Sequence, residues 1–162
     1  ILRETGFSPS QLKLEITESV FFEHQDRAVA MLNQLRDDGI EIDIDDFGTG
    51  YSNLGYLKKL PISTLKIDRS FVSMIDAAGN NDEIVRAIIN LARTLGLKVV
   101  AEGVETESQR QLLKRLECEG GQGFLFAKPM KFSDLKSFLL EIDNTSVASP
   151  QFDDISTISL VQ

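Results

Sequence analysis

Four short stretches of this chain alternate apolar and polar residues, with helical stretches between them. Leu12, Leu14 and Ile16 oppose Lys13, Glu15 and Thr17; Ile40, Ile42 and Ile44 oppose Glu41, Asp43 and Asp45. Leu65 and Ile67 oppose Thr64, Lys66 and Asp68; Val99 and Ala101 oppose Lys98, Val100 and Glu102. Successive side chains of a strand point to opposite faces, so each strand has one apolar and one polar face. Strand–helix alternation argues for an α/β fold, a parallel sheet with helical crossovers. Parallel strands are ordinarily apolar on both faces. An open sheet leaves the second face in water. A barrel interior accounts for it better, because inward residues pack in layers and acids pair with lysines such as Lys13.

The pattern predicts strands at 11–17, 40–45, 63–68 and 97–103, and a short fifth at 123–129. Helices are predicted at 26–39, stopped by Gly39, and around Leu54 to Leu60, before Pro61. Further helices fall at 81–96, capped by Asn81 or Asp82 and stopped by Gly96, at 106–120, and at 133–142, opened by Ser133. Residues 143–162 lose the helical pattern and read as a tail. The first residues, ILRETG, lack an initiator Met and read as the last turns of a helix closed by Gly6. The polypeptide is therefore expected to be a piece of a larger domain.

Apolar residues make up 42% of 162, enough for a core, and no apolar run reaches the roughly 18 residues of a membrane helix. There is no signal peptide at the start given. The single cysteine, Cys118, excludes an intrachain disulfide and fits a reducing compartment. The net charge of −8 makes a general nucleic-acid binder a poor reading. An anionic ligand then needs positive charge from elsewhere, and metal ions are the obvious source.

Glu15, Asp45, Lys66 and Glu102 are each at or near the end of a different strand's polar face, where barrel active sites gather. Asp46 follows Asp45 and is expected to turn outward as the loop begins. Converging carboxylates raise one another's pKa, and divalent cations remove that penalty. Oxygen donors point to Mg²⁺, Mn²⁺ or Ca²⁺. Adjacent aspartates can serve two ions, which suits phosphodiester hydrolysis. Taken singly, Asp45–Asp46 before Gly48 reads as turn chemistry and Lys66 as a barrel salt bridge. The pattern across four strands carries the inference. His24 reads as surface, Cys118 as packing, and Asp153 and Asp154 as solvated.

LEITES, DIDDFGTGYSNLGYLKKLPISTLKIDRSFV, VVAEGVET and QGFLFAKPM resemble, in order and spacing, the C-terminal part of EAL domains. These are bacterial phosphodiesterases that cut cyclic di-GMP to linear pGpG. The resemblance covers residues 1–142 and implies a (β/α)₈ TIM-barrel-type fold, here an incomplete barrel of about five strands with flanking helices. It implies Glu15, Asp45, Asp46 and Glu102 as metal ligands, with Asp45 bridging two ions of Mg²⁺ or Mn²⁺. It implies Lys66 as the residue that orients the attacking water, with Glu102 and Gln122 completing the catalytic set. Glu18 corresponds to the glutamate that holds the DFGTGYS loop. Ala127, in FAKP, replaces the usual serine.

The namesake Glu-Ala-Leu segment, its metal-binding glutamate, a nearby substrate-binding arginine and a later metal-binding asparagine have no match in the 162 residues. The expected function is thus part of a cyclic di-GMP phosphodiesterase, inactive as this piece alone. The competing reading is a non-catalytic module that binds cyclic di-GMP or a protein partner. Expected partners are cyclic di-GMP and either further copies of the chain or a missing N-terminal half, with no nucleic acid and no membrane segment. The expected location is the bacterial cytoplasm, within a larger signalling protein.

Overall fold

The computed structural model describes residues 2–18, 25–50, 54–75 and 81–144. His24, residues 51–53 of the glycine loop and the tail from 145, with Asp153 and Asp154, lie outside the described residues. Five parallel strands form one sheet in sequence order. They are β1 Lys13–Thr17, β2 Glu41–Phe47, β3 Thr64–Ile67, β4 Lys98–Ala101 and β5 Gly120–Gly121. The helices are α1 Leu2–Thr5, α2 Gln25–Asp37, α3 Leu54–Leu57, α4 Arg69–Ser73, α5 Glu83–Leu95, α6 Glu107–Arg115 and α7 Phe132–Asn144.

Each strand pairs with the next, so every crossover steps the same way. Right-handed crossovers that never reverse direction lie on one face of the sheet, the winding of a TIM-type barrel arc. The core sits under that face. Ile42, Ile44, Leu65, Ile67 and Val99 are at most 1% exposed and pack with Val85, Ile89 and Ala92 of α5 and Leu112 and Leu113 of α6. Burial of each such side chain contributes about 1.5–3 kcal/mol. Gly96 ends α5 in the left-handed conformation, with its N–H bonded to Ala92 and Arg93 carbonyls. The opposite face carries Glu15, Asp43, Asp45 and Lys66, as the alternation predicts.

The fifth strand differs from expectation. Residues 123–127 form a turn, with the Phe126 and Ala127 N–H groups both donating to the Gly123 carbonyl. The strand is Gly120–Gly121, which begins at the last residue of the helix predicted over 106–120; that helix, α6, stops at Arg115. Two glycines carry no side-chain alternation, so the strand leaves no pattern to read. Their bareness is what admits them: a Cβ on Gly120 would stand 3.2 Å from Val100 Cγ2. The last helix also runs two residues past the predicted 142.

Gly123 closes this region. At φ 156° its Cα faces the Val104 backbone, where a Cβ would overlap both N and O. Val104 N–H donates to Gln122 O and Leu125 N–H to Val104 O, both at 3.0 Å, clamping the turn to the end of β4. Cys118 lies beneath, its Sγ donating to Gly120 O at 3.2 Å, and burial pushes the thiol up to about 12.

Gly123→Ala is expected to destabilise the chain by about 2 kcal/mol or more, from overlap and backbone strain together, as a lowered urea midpoint. Cys118 is expected to resist a disulfide reagent at pH 8, where an ordinary thiol reacts, and to react once urea unfolds the chain. Rapid labelling of the folded protein would contradict the burial.

Candidate active site and metal centre

β2 departs from regular pleating at its carboxyl end. Ile44 pairs with Leu65 and Phe47 with Ile67, so Asp45 and Asp46 together stand opposite Lys66. Two residues against one is a bulge. Asp46 takes φ 53°, a left-handed conformation that Asp tolerates better than most residues, at a cost of about 1–2 kcal/mol. In a flat strand, neighbouring side chains point to opposite faces. The bulge lets both carboxylates serve one site. Asp45, Asp46 and Glu102 each present an oxygen within 4.8 Å of the others. The expectation that β2 ends at Asp45 is corrected: the strand continues through Phe47, and Asp46, although partly exposed, keeps a carboxylate oxygen within 4.8 Å of Asp45 and Glu102 instead of leaving the centre as expected.

Lys66 stands among these acids and is only 4% exposed. Its Nζ lies 2.8 Å from Glu15 Oε1 on β1, 3.2 Å from Asp45 Oδ1 on β2 and 2.6 Å from Glu102 Oε1 just past β4. Burial by itself lowers an ammonium pKa, but the hydrogen bonds Lys66 donates to Glu102 and Glu15 and the charges of Glu102 and Asp45 overcome it, so Lys66 is raised above its ordinary value. Lys66 is held as a cation. One cation does not satisfy three carboxylates, and Glu102 stays raised, first by burial, against the Lys66 contact. Burial, then the charges of Asp45 and Asp68, also raises Asp46.

Gln122 follows β5 and donates from Nε2 to Glu102 Oε1 at 2.8 Å. Its Oε1 is buried without a hydrogen-bond partner among the described residues, and so is Asp45 Oδ1, which has only its charge contact with Lys66. Glu18, 9% exposed, accepts the Gly48 N–H on Oε2 at 3.3 Å. Gly50 also packs over the Glu18 carboxylate, where a Cβ would stand 3.4 Å from Cδ. Glu18 thus lies beneath the described part of the glycine loop.

All the residues singled out from sequence at this end come together: Glu15, Asp45, Asp46, Lys66, Glu102 and Gln122 around one centre, and Glu18 under the adjoining loop. Glu15 meets Lys66 but is not part of the three-carboxylate set. Two contributors carried no assigned role. Asp68, just past β3, lies beside Asp46 and caps α4, accepting Ser70 N–H at 3.0 Å and the Ser70 hydroxyl. The alternation could have flagged it. Gln109, far along the sequence, had no chemical signal.

The donor set fits a hard divalent cation. It is all oxygen, and ligands about 2.0–2.6 Å from one ion stand no more than about twice that apart, as these carboxylates do. The buried acceptors of Asp45 and Gln122 also call for a donor or a cation.

Lys66→Met keeps the buried stem and removes the charge. It is expected to destabilise by about 3–5 kcal/mol, because buried carboxylates lose their counter-charge, and Mn²⁺ is expected to restore part of that loss in a thermal melt. Lys66's pKa is raised on folding. Its contribution is therefore full below about pH 10 and is lost only as pH rises through the raised value, so the deficit should be constant from pH 7 to 9.5.

The EAL domain family model matches residues 1–129. The cyclic di-GMP phosphodiesterase NbdA of Pseudomonas aeruginosa is 46% identical over 138 residues, 85% of this chain and 18% of its own length. The solved MucR phosphodiesterase in complex with c-di-GMP is 50% identical, with a TM-score of 0.77, over 83% of this chain and 54% of that one. A manganese and c-di-GMP complex of Klebsiella pneumoniae BlrP1 matches at 35% identity and TM-score 0.67, over 76% of this chain and 32% of that one. This chain thus spans about a fifth of the length of NbdA and about half of the solved MucR chain. Its motifs, its winding and its matches over most of its length together make the chain a member of the EAL domain family.

Proposed function

We propose that this chain supplies the metal-binding and water-orienting wall of a phosphodiesterase that hydrolyses cyclic di-GMP to linear pGpG in the bacterial cytoplasm. The observation that carries the reading is the convergence of Asp45, Asp46 and Glu102 oxygens beside a buried Lys66 at the carboxyl ends of the strands. In this reading the EAL part occupies residues 1–142 and the remainder is a tail.

Asp45, Asp46 and Glu102, with Glu15 beside them on Lys66, would hold Mg²⁺ or Mn²⁺. When bound, the cations supply Lewis acidity and a water of lowered pKa. Lys66 stays protonated and donates to the attacking water or to a phosphate oxygen as negative charge develops there. Gln122 holds Glu102 through Nε2 and offers Oε1 to the same water. Glu18 keeps the glycine loop down over the site through Gly48. The substrate is a dianion and this chain is net acidic, so phosphate binding rests on the cations, Lys66 and the family's arginine, which has no match in the 162 residues. The glutamate of the Glu-Ala-Leu segment also has none. The chain by itself is therefore expected to turn over poorly, and to regain activity with a segment that carries those residues. The sheet edges available for such pairing, or for self-association, are β1, within the predicted 11–17, and β5 at Gly120–Gly121 in place of the predicted 123–129.

Mn²⁺ titration by calorimetry is expected to give weak binding that Asp45→Ala abolishes. Equal heats from both proteins would sink the metal assignment. A pGpG product assay is expected to show activity only with the complementing segment, lost by a hundredfold or more in Lys66→Ala. Cyclic di-GMP binding without turnover in the complemented protein would select the binding-module reading instead.

A further inference from the structure

The short helix α4 touches two of the loops that carry the site. It follows directly from β3, which carries Lys66, and is capped by Asp68. Its Phe71 ring presses on Gly48, after the Asp45–Asp46 bulge, where a Cβ would stand 2.8 Å from Phe71 Cε2. Its Arg69 lies against Gly103, next to Glu102, where φ is 67° and a Cβ would stand 2.5 Å from Arg69 Cβ. The third contact is polar. Gln109 of α6 is 6% exposed and donates from Nε2 to Val72 O of α4 at 3.2 Å. Its Oε1 accepts the N–H groups of Glu105 and Thr106, at 2.8 and 3.0 Å.

The two ends of that amide do separate jobs. The acceptor completes a capping box with Thr106, and a glutamate at this position would serve that purpose equally. Only an amide can also donate to Val72 O. The loop Glu102–Thr106 is thereby fastened at its far end to the helix that leaves Lys66, while its near end is held by Glu102 N–H on Ile67 O at 3.0 Å. We propose that Gln109 is a positioning residue for the cation site: its bond to Val72 locks the Glu102 loop to α4 and so sets the spacing of Glu102 from Asp45, Asp46 and Lys66. The proposal rests on the reading of those carboxylates as cation ligands.

The test compares Mn²⁺ affinity by calorimetry in the unaltered chain, in Gln109→Glu and in Gln109→Met. Gln109→Glu keeps the cap and loses the Val72 bond; Gln109→Met loses both. Partners that orient ligands typically contribute ten- to a hundredfold in metal affinity. Gln109→Glu is expected to weaken Mn²⁺ about tenfold, with the Glu105 and Thr106 amides still protected from exchange. Affinity equal to the unaltered chain in Gln109→Glu, with loss only in Gln109→Met, would reduce Gln109 to a cap and overturn the proposal. No Mn²⁺ binding by the unaltered chain would instead overturn the ligand reading beneath it. Should either variant fail to fold, the side-chain amide resonance of Gln109 in the unaltered chain decides. Mg²⁺ is expected to shift it and slow its exchange, and an unmoved resonance in a chain whose Glu102 signals do shift would also overturn the proposal.

Discussion

One ammonium group holds the carboxyl end of this sheet together. Lys66 meets carboxylates from β1, from β2 and from the segment after β4, and among the described residues it is the only cation that the acidic centre contacts. Without it, Glu15, Asp45 and Glu102 would face one another in a poorly solvated space, where like charges disfavour ionisation. The register of the sheet follows from this arrangement as much as from the core. A slip of one residue would turn Lys66 to the apolar side and expose Ile67 to the acids.

The same centre shows how structural and chemical demands are reconciled. A lysine among carboxylates stabilises the fold without filling every acceptor: Gln122 Oε1 has no hydrogen-bond partner among the described residues, and Asp45 Oδ1 has a charge contact with Lys66 but no hydrogen bond. A cation held by Asp45, Asp46 and Glu102 would relieve the remaining repulsion and couple metal binding to folding stability through the same oxygens. Asp43, one layer below, has a different fate. It is 5% exposed, Lys13 approaches only to 3.9 Å, and burial raises its carboxyl, so it belongs to the barrel layer and not to the reacting centre.

Rigidity at the site comes from small contacts made by backbone. Gly48, Gly103 and Gly123 each sit where a side chain would collide with a neighbour that itself supports the centre: Phe71, Arg69 and Val104. The loops are therefore seated directly on α4 and on each other. Their hydrogen bonds are mostly between backbone groups, as in Val104 N–H to Gln122 O and Gln122 N–H to Ala101 O.

By itself, the sequence determined the winding and the chemistry. Strict alternation in four strands, with helices between, required a parallel sheet with a polar face. The residue types at the strand ends, Glu15, Asp45, Lys66 and Glu102, gathered acids around a lysine at one end of the sheet, and the linked motifs named the family. These features are legible because side-chain period and charge are local properties of the chain. Tertiary structure decided the rest. The approach of Asp46 to Asp45 and Glu102 depends on how β2 registers against β3. The fifth strand is two glycines that pair only because Val100 and Val104 lie beside them. The role of Gln109 appears only when α6 is packed near α4, thirty-seven residues earlier in the chain. Each of these depends on a partner distant in sequence, and no local pattern records a contact whose other half lies elsewhere.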